Sequence, residues 1–258
     1  GRFHAGAIFG PERARLAYTK TSGGKEYIGA ILPKNTYHPK DDTFHQHAIW
    51  FVTDLDLEPV QETSGYGLHS HSYQQRLIAD GDHFVSLEMH DRGNAHQLTK
   101  LKPGSPTEEG TYKLHCSIHR LPDIFHRSHV GDLQPGLDGG YAVLFTSYPG
   151  KDAKANMGSL GWQLGMVHVV EDFDQIDDLE KIVNTDVAQE EVAFKEGTII
   201  RRRVKWLTDY SGGDLALRPR MVKYDDGTYI ALWEKHKWKD QANPRPEQTT
   251  YDSTWAMK

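Results

Sequence analysis

The chain of 258 residues lacks several features that would each narrow its function. It has a single cysteine, Cys116, which excludes a framework of internal disulfides and leaves the compartment open. An extracellular or periplasmic location is slightly favoured. No apolar run approaches the ~20 residues that a membrane-spanning helix needs. Neither a Gly-x-Gly-x-x-Gly loop after a strand nor a Gly-x-Ser-x-Gly element is present, so nothing supports nucleotide binding or a serine nucleophile of that type.

The sequence also lacks an excess of positive charge. Its 30 Lys and Arg residues stand against 36 Asp and Glu, which gives a net charge of -6 with both signs interspersed. Proteins that bind nucleic acid usually carry a basic patch or stripe. The one basic cluster, at 201–203, lies inside an apolar strand pattern and is interpreted as a solvated strand face. The sequence therefore predicts neither a nucleic-acid partner nor a membrane span.

What the chain does contain is a repeated pair of short apolar runs joined by a tight turn. The clearest copy spans 217–233 and turns at Asp226-Gly227, and two others turn at Asp80-Gly81 and Asp138-Gly139. Glycine tolerates the positive φ of a tight hairpin turn, so Asp-Gly between apolar runs is a strong hairpin signal. A looser copy without Asp-Gly opens the chain, with predicted strands at 4–10 and 13–18.

Further strand patterns after each pair divide the chain into four units of roughly 1–55, 68–121, 128–208 and 215–258. An acidic insertion at 172–195 carries apolar residues at helical spacing, which predict one short helix. Units in which an outer strand leads directly into the next inner strand resemble the blades of a β-propeller. The resemblance implies an all-β fold of four-stranded antiparallel blades, about three and a half to four in this chain.

The number of units bears on the whole molecule. Propellers usually have about 4–8 blades, so the chain is predicted to be part of a larger propeller or to be completed by a second chain; the remaining alternative is a wrong count of units. No tryptophan-aspartate, kelch or full Asp-box signature identifies a subfamily. The competing architecture is a β-sandwich of the cupin type. The segment 67–75 resembles the first cupin motif, although the Glu expected near Gln75 is missing.

Several of the fifteen histidines recur at one point of the repeat. Nine residues before the Asp of each turn stand His71, His129 and Leu217, with Arg218 one step on, and His4 is near the equivalent point of the first copy. The inner strand of a propeller blade lines the central channel. The resemblance therefore implies that these residues ring one mouth of the channel, where propellers generally bind their ligands.

A metal site is one reading of this ring. His69 and His71 lie two apart and so face the same side of a strand. Together with His129 they are the candidate ligands of a divalent metal, zinc or calcium, held through neutral imidazole. The alternative is that these histidines hydrogen-bond neighbouring blades or line a wet channel.

Two functions fit this pattern. The first is a ligand-binding propeller module that recognises carbohydrate or protein through its axial, histidine-rich face. Its candidate ligand-binding residues are His4, Tyr148, Arg218, His236 and Trp238. Of these, Trp238 is a candidate sugar platform, as is Trp255. The alternation around Trp50, Trp206 and Trp233 predicts core positions instead.

The second function is a propeller enzyme that acts on polysaccharide, as a lyase or a hydrolase. A His or Tyr beside an Arg could abstract a proton next to a carboxylate whose charge the Arg neutralises. The candidate catalytic residues are His71, His129, Tyr73 and Arg92. This alternative depends on fold-level analogy with propeller lyases.

Overall fold

The computed structural model describes residues 15–38, 43–64, 75–90, 95–103, 112–120, 129–136, 140–147, 161–169, 181–185, 199–202, 205–239 and 249–258. Every regular element in these ranges is a β-strand. In chain order the strands are β1 (Arg15–Lys20), β2 (Glu26–His38), β3 (Thr43–Thr53), β4 (Pro59–Ser64), β5 (Gln75–Asp80), β6 (His83–His90), β7 (Ala95–Leu101), β8 (Tyr112–Arg120), β9 (His129–Pro135), β10 (Tyr141–Ser147), β11 (Gln163–Val169), β12 (Lys181–Thr185), β13 (Ile199–Arg202), β14 (Lys205–Trp206), β15 (Asp214–Lys223), β16 (Tyr229–Trp238) and β17 (Thr249–Met257). The described part of the chain has no helix long and apolar enough to cross a membrane.

The strands form four sheets. Sheet 1 has the order β1-β2-β3-β4, and sheet 2 runs β5-β6-β7-β8 with β12 and β13 added in parallel beyond β8. Sheet 3 has the order β9-β10-β11-β14, and sheet 4 the order β15-β16-β17. Apart from the two added strands, all pairings between neighbouring strands are antiparallel.

The first strands of consecutive sheets lie side by side: β1 contacts β5, β5 contacts β9, and β9 contacts β15. Inner strands stacked in chain order, with the later strands of each sheet following in sequence, are the arrangement of propeller blades. Among the strands that the structure describes, β15 and β1 make no comparable contact. The predicted fold class, an all-β partial propeller of antiparallel blades, is confirmed. The predicted larger assembly or second chain stays a prediction.

Apolar clusters fill the spaces between sheets. Tyr27, Ile31 and Val52 of sheet 1 pack with Leu77 and Phe84 of sheet 2. A second cluster joins sheets 3 and 4, with its members Ala142, Leu144, Leu164, Ala216, Met221, Ala231 and Trp233. A blade cannot bury both faces alone, and in the described part of the chain packing between neighbouring sheets buries these residues.

A tyrosine at the same place in two blades hydrogen-bonds to the preceding blade. Tyr141 begins β10, and its hydroxyl donates to the Asp80 carboxylate of sheet 2 at 2.6 Å. Tyr229 begins β16, and its hydroxyl donates to the Pro135 carbonyl of sheet 3 at 3.0 Å. We call this pair the clasp tyrosines. Both bonds lie beside the hairpin turns, where Gly81 and Gly227 have the predicted positive φ.

Three assignments of secondary structure made from the sequence are wrong: two of strands and one of a helix. The first strand of sheet 1 is Arg15–Lys20, so the described part of the run, residues 15–18, belongs to an inner strand rather than to the second strand of a blade. The predicted helix in 172–195 is replaced, over Lys181–Thr185, by a strand whose β-branched residues pair in parallel with β8 and β13. The single closing strand predicted at 198–208 is divided between β13 and β14, which belong to different sheets. The segment 4–10 lies outside the described residues, and the unit boundaries stay predictions.

Candidate ligand-binding site

The structure describes the side chains of three predicted site residues, Arg218, His236 and Trp238, all in sheet 4. His129 begins the inner strand β9, but its side chain is outside the described part. The other candidates also lie outside the described residues; they are His4, His69, His71, Tyr73, Arg92 and Tyr148. Their roles in metal binding, catalysis and ligand binding stay predictions.

Arg218 occupies an unusual backbone position on the inner strand β15. The pairing of β15 with β16 shifts between Leu217 and Arg220, so Arg218 and Pro219 form a bulge. Arg218 has a φ of 49°, in the left-handed region. A residue other than glycine in this region costs about 1–3 kcal/mol and persists only where its surroundings enforce it. The bulge turns the Arg218 side chain outward, and it is 65% exposed.

Glu234 links two of the predicted residues. Nη1 of Arg218 lies 3.0 Å from Oε2 and 3.3 Å from Oε1 of Glu234. On the other side, Nε2 of His236 lies 2.8 Å from the same Oε2. Glu234 and His236 are two apart on β16 and so share one face of the sheet. We call Arg218, Glu234 and His236 the carboxylate cluster.

The charge state of Glu234 follows from this geometry. Burial alone would raise the pKa of Glu234. The hydrogen bond from His236, together with the charge and hydrogen bond of Arg218, outweighs burial and lowers that pKa below its usual value. The carboxylate is therefore ionised at neutral pH and can only accept hydrogen bonds. It follows that Nε2 of His236 is the donor in their contact.

His236 has no ring nitrogen left for a ligand. Its side chain is buried, and Nδ1 lies 3.1 Å from the Thr249 hydroxyl while Nε2 bonds to Glu234. The Tyr251 ring packs edge-on against the imidazole at 5.6 Å between centroids. His236 therefore positions Glu234 from behind, and Arg218 and Glu234 are the members that face solvent.

The bulge is supported from the neighbouring blade. The Asp132 carboxylate of β9 accepts the backbone N–H of Met221 at 2.8 Å, which ties β9 to the strand just after the bulge. Gly131 is itself at a register shift in β9, and a Cβ there would lie 2.7 Å from Cγ of Pro219. Only glycine lets the two bulges approach this closely. Two blades together thus determine the position of Arg218.

The burial of Trp238 does not fit its predicted role as a sugar platform. It is 5% exposed and packs edge-on against the buried Trp162, with 6.1 Å between ring centroids. Its backbone N–H donates to the Gly213 carbonyl at 3.1 Å. The interpretation of Trp238 as an open sugar platform is therefore wrong, because a ring from a distant part of the chain covers it. Trp233 is buried as predicted, and Trp255 is exposed.

Sequence reasoning missed Glu234 and Asp132 as site residues. A signal for Glu234 was present, since residues two apart on a strand share a face, which places Glu234 beside His236. No comparable signal marked Asp132, because its partner Met221 is 89 positions away along the chain. Within the described residues, no group of three or more His, Cys, Asp or Glu side chains could hold a metal ion.

No protein-family model and no curated protein sequence matches this chain. Among solved structures, it is similar to an endo-arabinase from Bacteroides thetaiotaomicron, with 9% identity, a TM-score of 0.40, and coverage of 88% of this chain and 71% of the other. It is also similar to an alpha-L-arabinofuranosidase from Lactobacillus brevis, with 10% identity, a TM-score of 0.41, and coverage of 92% and 70%. A mannose phosphorylase from Leishmania mexicana has 13% identity, a TM-score of 0.40, and coverage of 97% and 66%. These likenesses are weak, and the propeller fold described above follows from the strand order and the contacts between blades.

Proposed function

We propose that the chain is a carbohydrate-recognising β-propeller module, with a ligand site at Arg218 and Glu234 on the inner part of the fourth blade. The observation that carries the proposal is the exposed Arg218 guanidinium, kept in a left-handed backbone position beside an ionised carboxylate. Strained residues cluster at ligand sites, and an observed outlier supports a hypothesis of function.

The chemistry of the pair favours a sugar as ligand. A sugar hydroxyl both donates and accepts hydrogen bonds, so two neighbouring hydroxyls match a donor and an acceptor placed side by side. Arg218 supplies several fixed N–H donors, and Glu234 supplies acceptor oxygens. The pair carries no net charge, which favours a neutral polar ligand over a strongly charged one.

Recognition is better supported than catalysis by the residues described. A lowered pKa makes Glu234 a poor general acid near neutral pH, and both ring nitrogens of His236 are engaged. The alternative function is a propeller enzyme acting on polysaccharide, with His71, His129, Tyr73 and Arg92 in the reaction. It is favoured by the position of His129 at the start of β9, the inner strand that contacts β15. A divalent metal, zinc or calcium, held by His69, His71 and His129 would belong to this alternative.

The test is affinity gel electrophoresis with arabinan, xylan or polygalacturonate in the gel. We expect retardation by at least one of the two neutral polymers, and weaker retardation in Arg218→Ala and Glu234→Gln. Lys237→Ala is the matched control, since Lys237 is a similarly exposed cation on the same sheet. Unchanged retardation in both site variants would exclude this site.

The same samples separate recognition from catalysis. Wild-type protein is incubated with each polymer, and new reducing ends and the ultraviolet absorbance of an unsaturated product are followed. Turnover that disappears in His71→Ala or His129→Ala, while retardation persists, would establish the enzyme alternative. Retardation without turnover supports the recognition module.

A further inference from the structure

Sheet 4 carries an exposed indole on the face opposite Glu234. Trp255 pairs across the sheet with Trp233, which precedes Glu234 on β16, so the two tryptophans lie on the other face. Trp255 is 49% exposed, and its ring stacks on that of Trp233 with 6.5 Å between centroids and 19° between planes. The buried Trp233 is fixed in turn, because its Nε1 donates to the Tyr210 hydroxyl at 2.8 Å.

A bulge in β17 places polar groups beside this ring. Lys235 pairs with Ser253 and His236 pairs with Tyr251, so Asp252 is an extra residue in the strand. Nε1 of Trp255 donates to the Ser253 hydroxyl at 2.8 Å, and that hydroxyl donates to the Asp252 carboxylate at 3.1 Å. The chain of bonds fixes the edge of the indole and ends at an exposed carboxylate. Bulges commonly re-aim side chains in this way next to functional sites.

We propose that Trp255 and Asp252 form a second carbohydrate site, in which one sugar ring stacks on Trp255 and its hydroxyls donate to Asp252. The apolar face of a sugar ring suits a flat aromatic surface that is already held in place, because little conformational entropy is lost on binding. The carboxylate accepts from hydroxyl groups and repels other carboxylates, so the ligand is a neutral sugar.

This second site has the same ligand class as the proposed function but shares no residue with the carboxylate cluster. It also lies on the opposite face of the sheet, so substitutions can remove each site separately. Two sites on one blade would let the protein hold a polymer at two points, which raises the overall avidity without any new contact.

The experiment is isothermal titration calorimetry of the full chain with xylohexaose and arabinohexaose, and with trigalacturonate as the acidic probe. We expect Trp255→Ala to weaken binding of a neutral hexaose about tenfold or more, since stacked aromatic rings dominate such sites. Trp255→Phe keeps a flat ring and should retain part of the affinity. Asp252→Asn should weaken binding by about three- to tenfold, because a charged acceptor is lost. Tyr224→Ala is the matched control, because Tyr224 is 51% exposed at the hairpin turn between β15 and β16 and belongs to neither site.

The outcomes separate the two sites. If Trp255→Ala and Asp252→Asn bind the hexaoses as wild type does, the second site is excluded, whatever Arg218→Ala does. If they lose binding while Arg218→Ala retains it, the second site stands and the Arg218 site fails. Binding of trigalacturonate as tight as that of the neutral probes would overturn the assignment of a neutral ligand, and no binding of either hexaose would overturn both sites. Urea denaturation of each variant checks that the fold is intact.

Discussion

Sheets 3 and 4 both begin with a hairpin of similar sequence, but equivalent residues of the two sheets differ in burial. In both, a clasp tyrosine opens the second strand, and its hydroxyl bonds to the preceding blade. Leu144 of sheet 3 and Leu232 of sheet 4 are equivalent, because each lies three residues after its clasp tyrosine. Leu144 is fully buried under sheet 4, whereas Leu232 is 37% exposed. The same position thus lies in the core in sheet 3 and near the surface in sheet 4, although the local sequences predict the same strands.

The polar positions show the same difference. Five residues after the clasp tyrosine, sheet 3 has the buried Thr146 and sheet 4 has Glu234. A charged group is tolerated at this point of sheet 4 because solvent reaches it and Arg218 pairs with it. Whether another sheet covers this position therefore decides whether its side chain belongs to the core or can contact a ligand. The candidate site is found on the blade whose outer face the described structure leaves open.

The largest difference in stability is expected between alanine variants of the two equivalent leucines. Leu144→Ala should destabilise the protein by about 2–5 kcal/mol, because it leaves a cavity between two sheets. Leu232→Ala should cost well under half as much, since its side chain is already partly in water. Urea denaturation of both variants measures the difference. Equal losses would show that sheet 4 is covered as completely as sheet 3 in solution.

Removing the hydroxyl groups of the two clasp tyrosines should lower the free energy of unfolding by unequal but smaller amounts. Tyr141→Phe removes a hydrogen bond to a carboxylate, worth about 1.5–3 kcal/mol, whereas Tyr229→Phe removes one to a backbone carbonyl, worth about 0.5–1.5 kcal/mol. The free energy of unfolding should therefore fall further in Tyr141→Phe. The variant Tyr141→Phe combined with Asp80→Asn is the control: if the clasp carries the effect, the two losses are not additive.

The smallest effect expected is on the loss of stability at acidic pH. The pKa of Glu234 is lower in the folded protein than its usual value of 4.5, so the unfolded chain binds this proton more readily. The resulting contribution to stability is present above that value and is lost as the pH falls through the lower pKa of the folded state. Glu234→Gln should therefore narrow the difference in unfolding free energy between neutral pH and about pH 3. An unchanged difference in Glu234→Gln would contradict the ionised, paired carboxylate.

The sequence predicted those parts of the fold that depend on neighbouring residues. The Asp-Gly turns at Gly81 and Gly227 and the strand at Tyr112–Arg120 follow from local turn chemistry and alternation. The sequence predicts the strands of the first hairpin too early in the chain because this hairpin has no Asp-Gly. It turns instead through Thr21 and Lys25, whose backbones are hydrogen-bonded, with Gly24 at a φ of 78°.

The features that the sequence did not reveal depend on residues far apart in the chain. Local patterns predict a surface position for Trp238 because the ring that buries it, Trp162, lies in another blade. Local spacing predicts a helix within 172–195, where the strand Lys181–Thr185 forms instead, because the partners of that strand come from β8 and β13. The pair of Arg218 and Glu234 depends on a bulge that shifts the register between two strands. Local patterns contain none of this information.

The clasp bonds also bear on how the molecule moves. In a repeat architecture each unit is held by its neighbours, so a blade held on one side opens at a lower free energy than a blade held on both. In the described structure sheet 4 is held by sheet 3 alone, and both proposed sugar sites lie on it. Ligand binding would then lower the population of the open form of this blade before it affects any other part of the protein, because binding stabilises the closed form by mass action. Recognition of a ligand and the local stability of sheet 4 would therefore rise together.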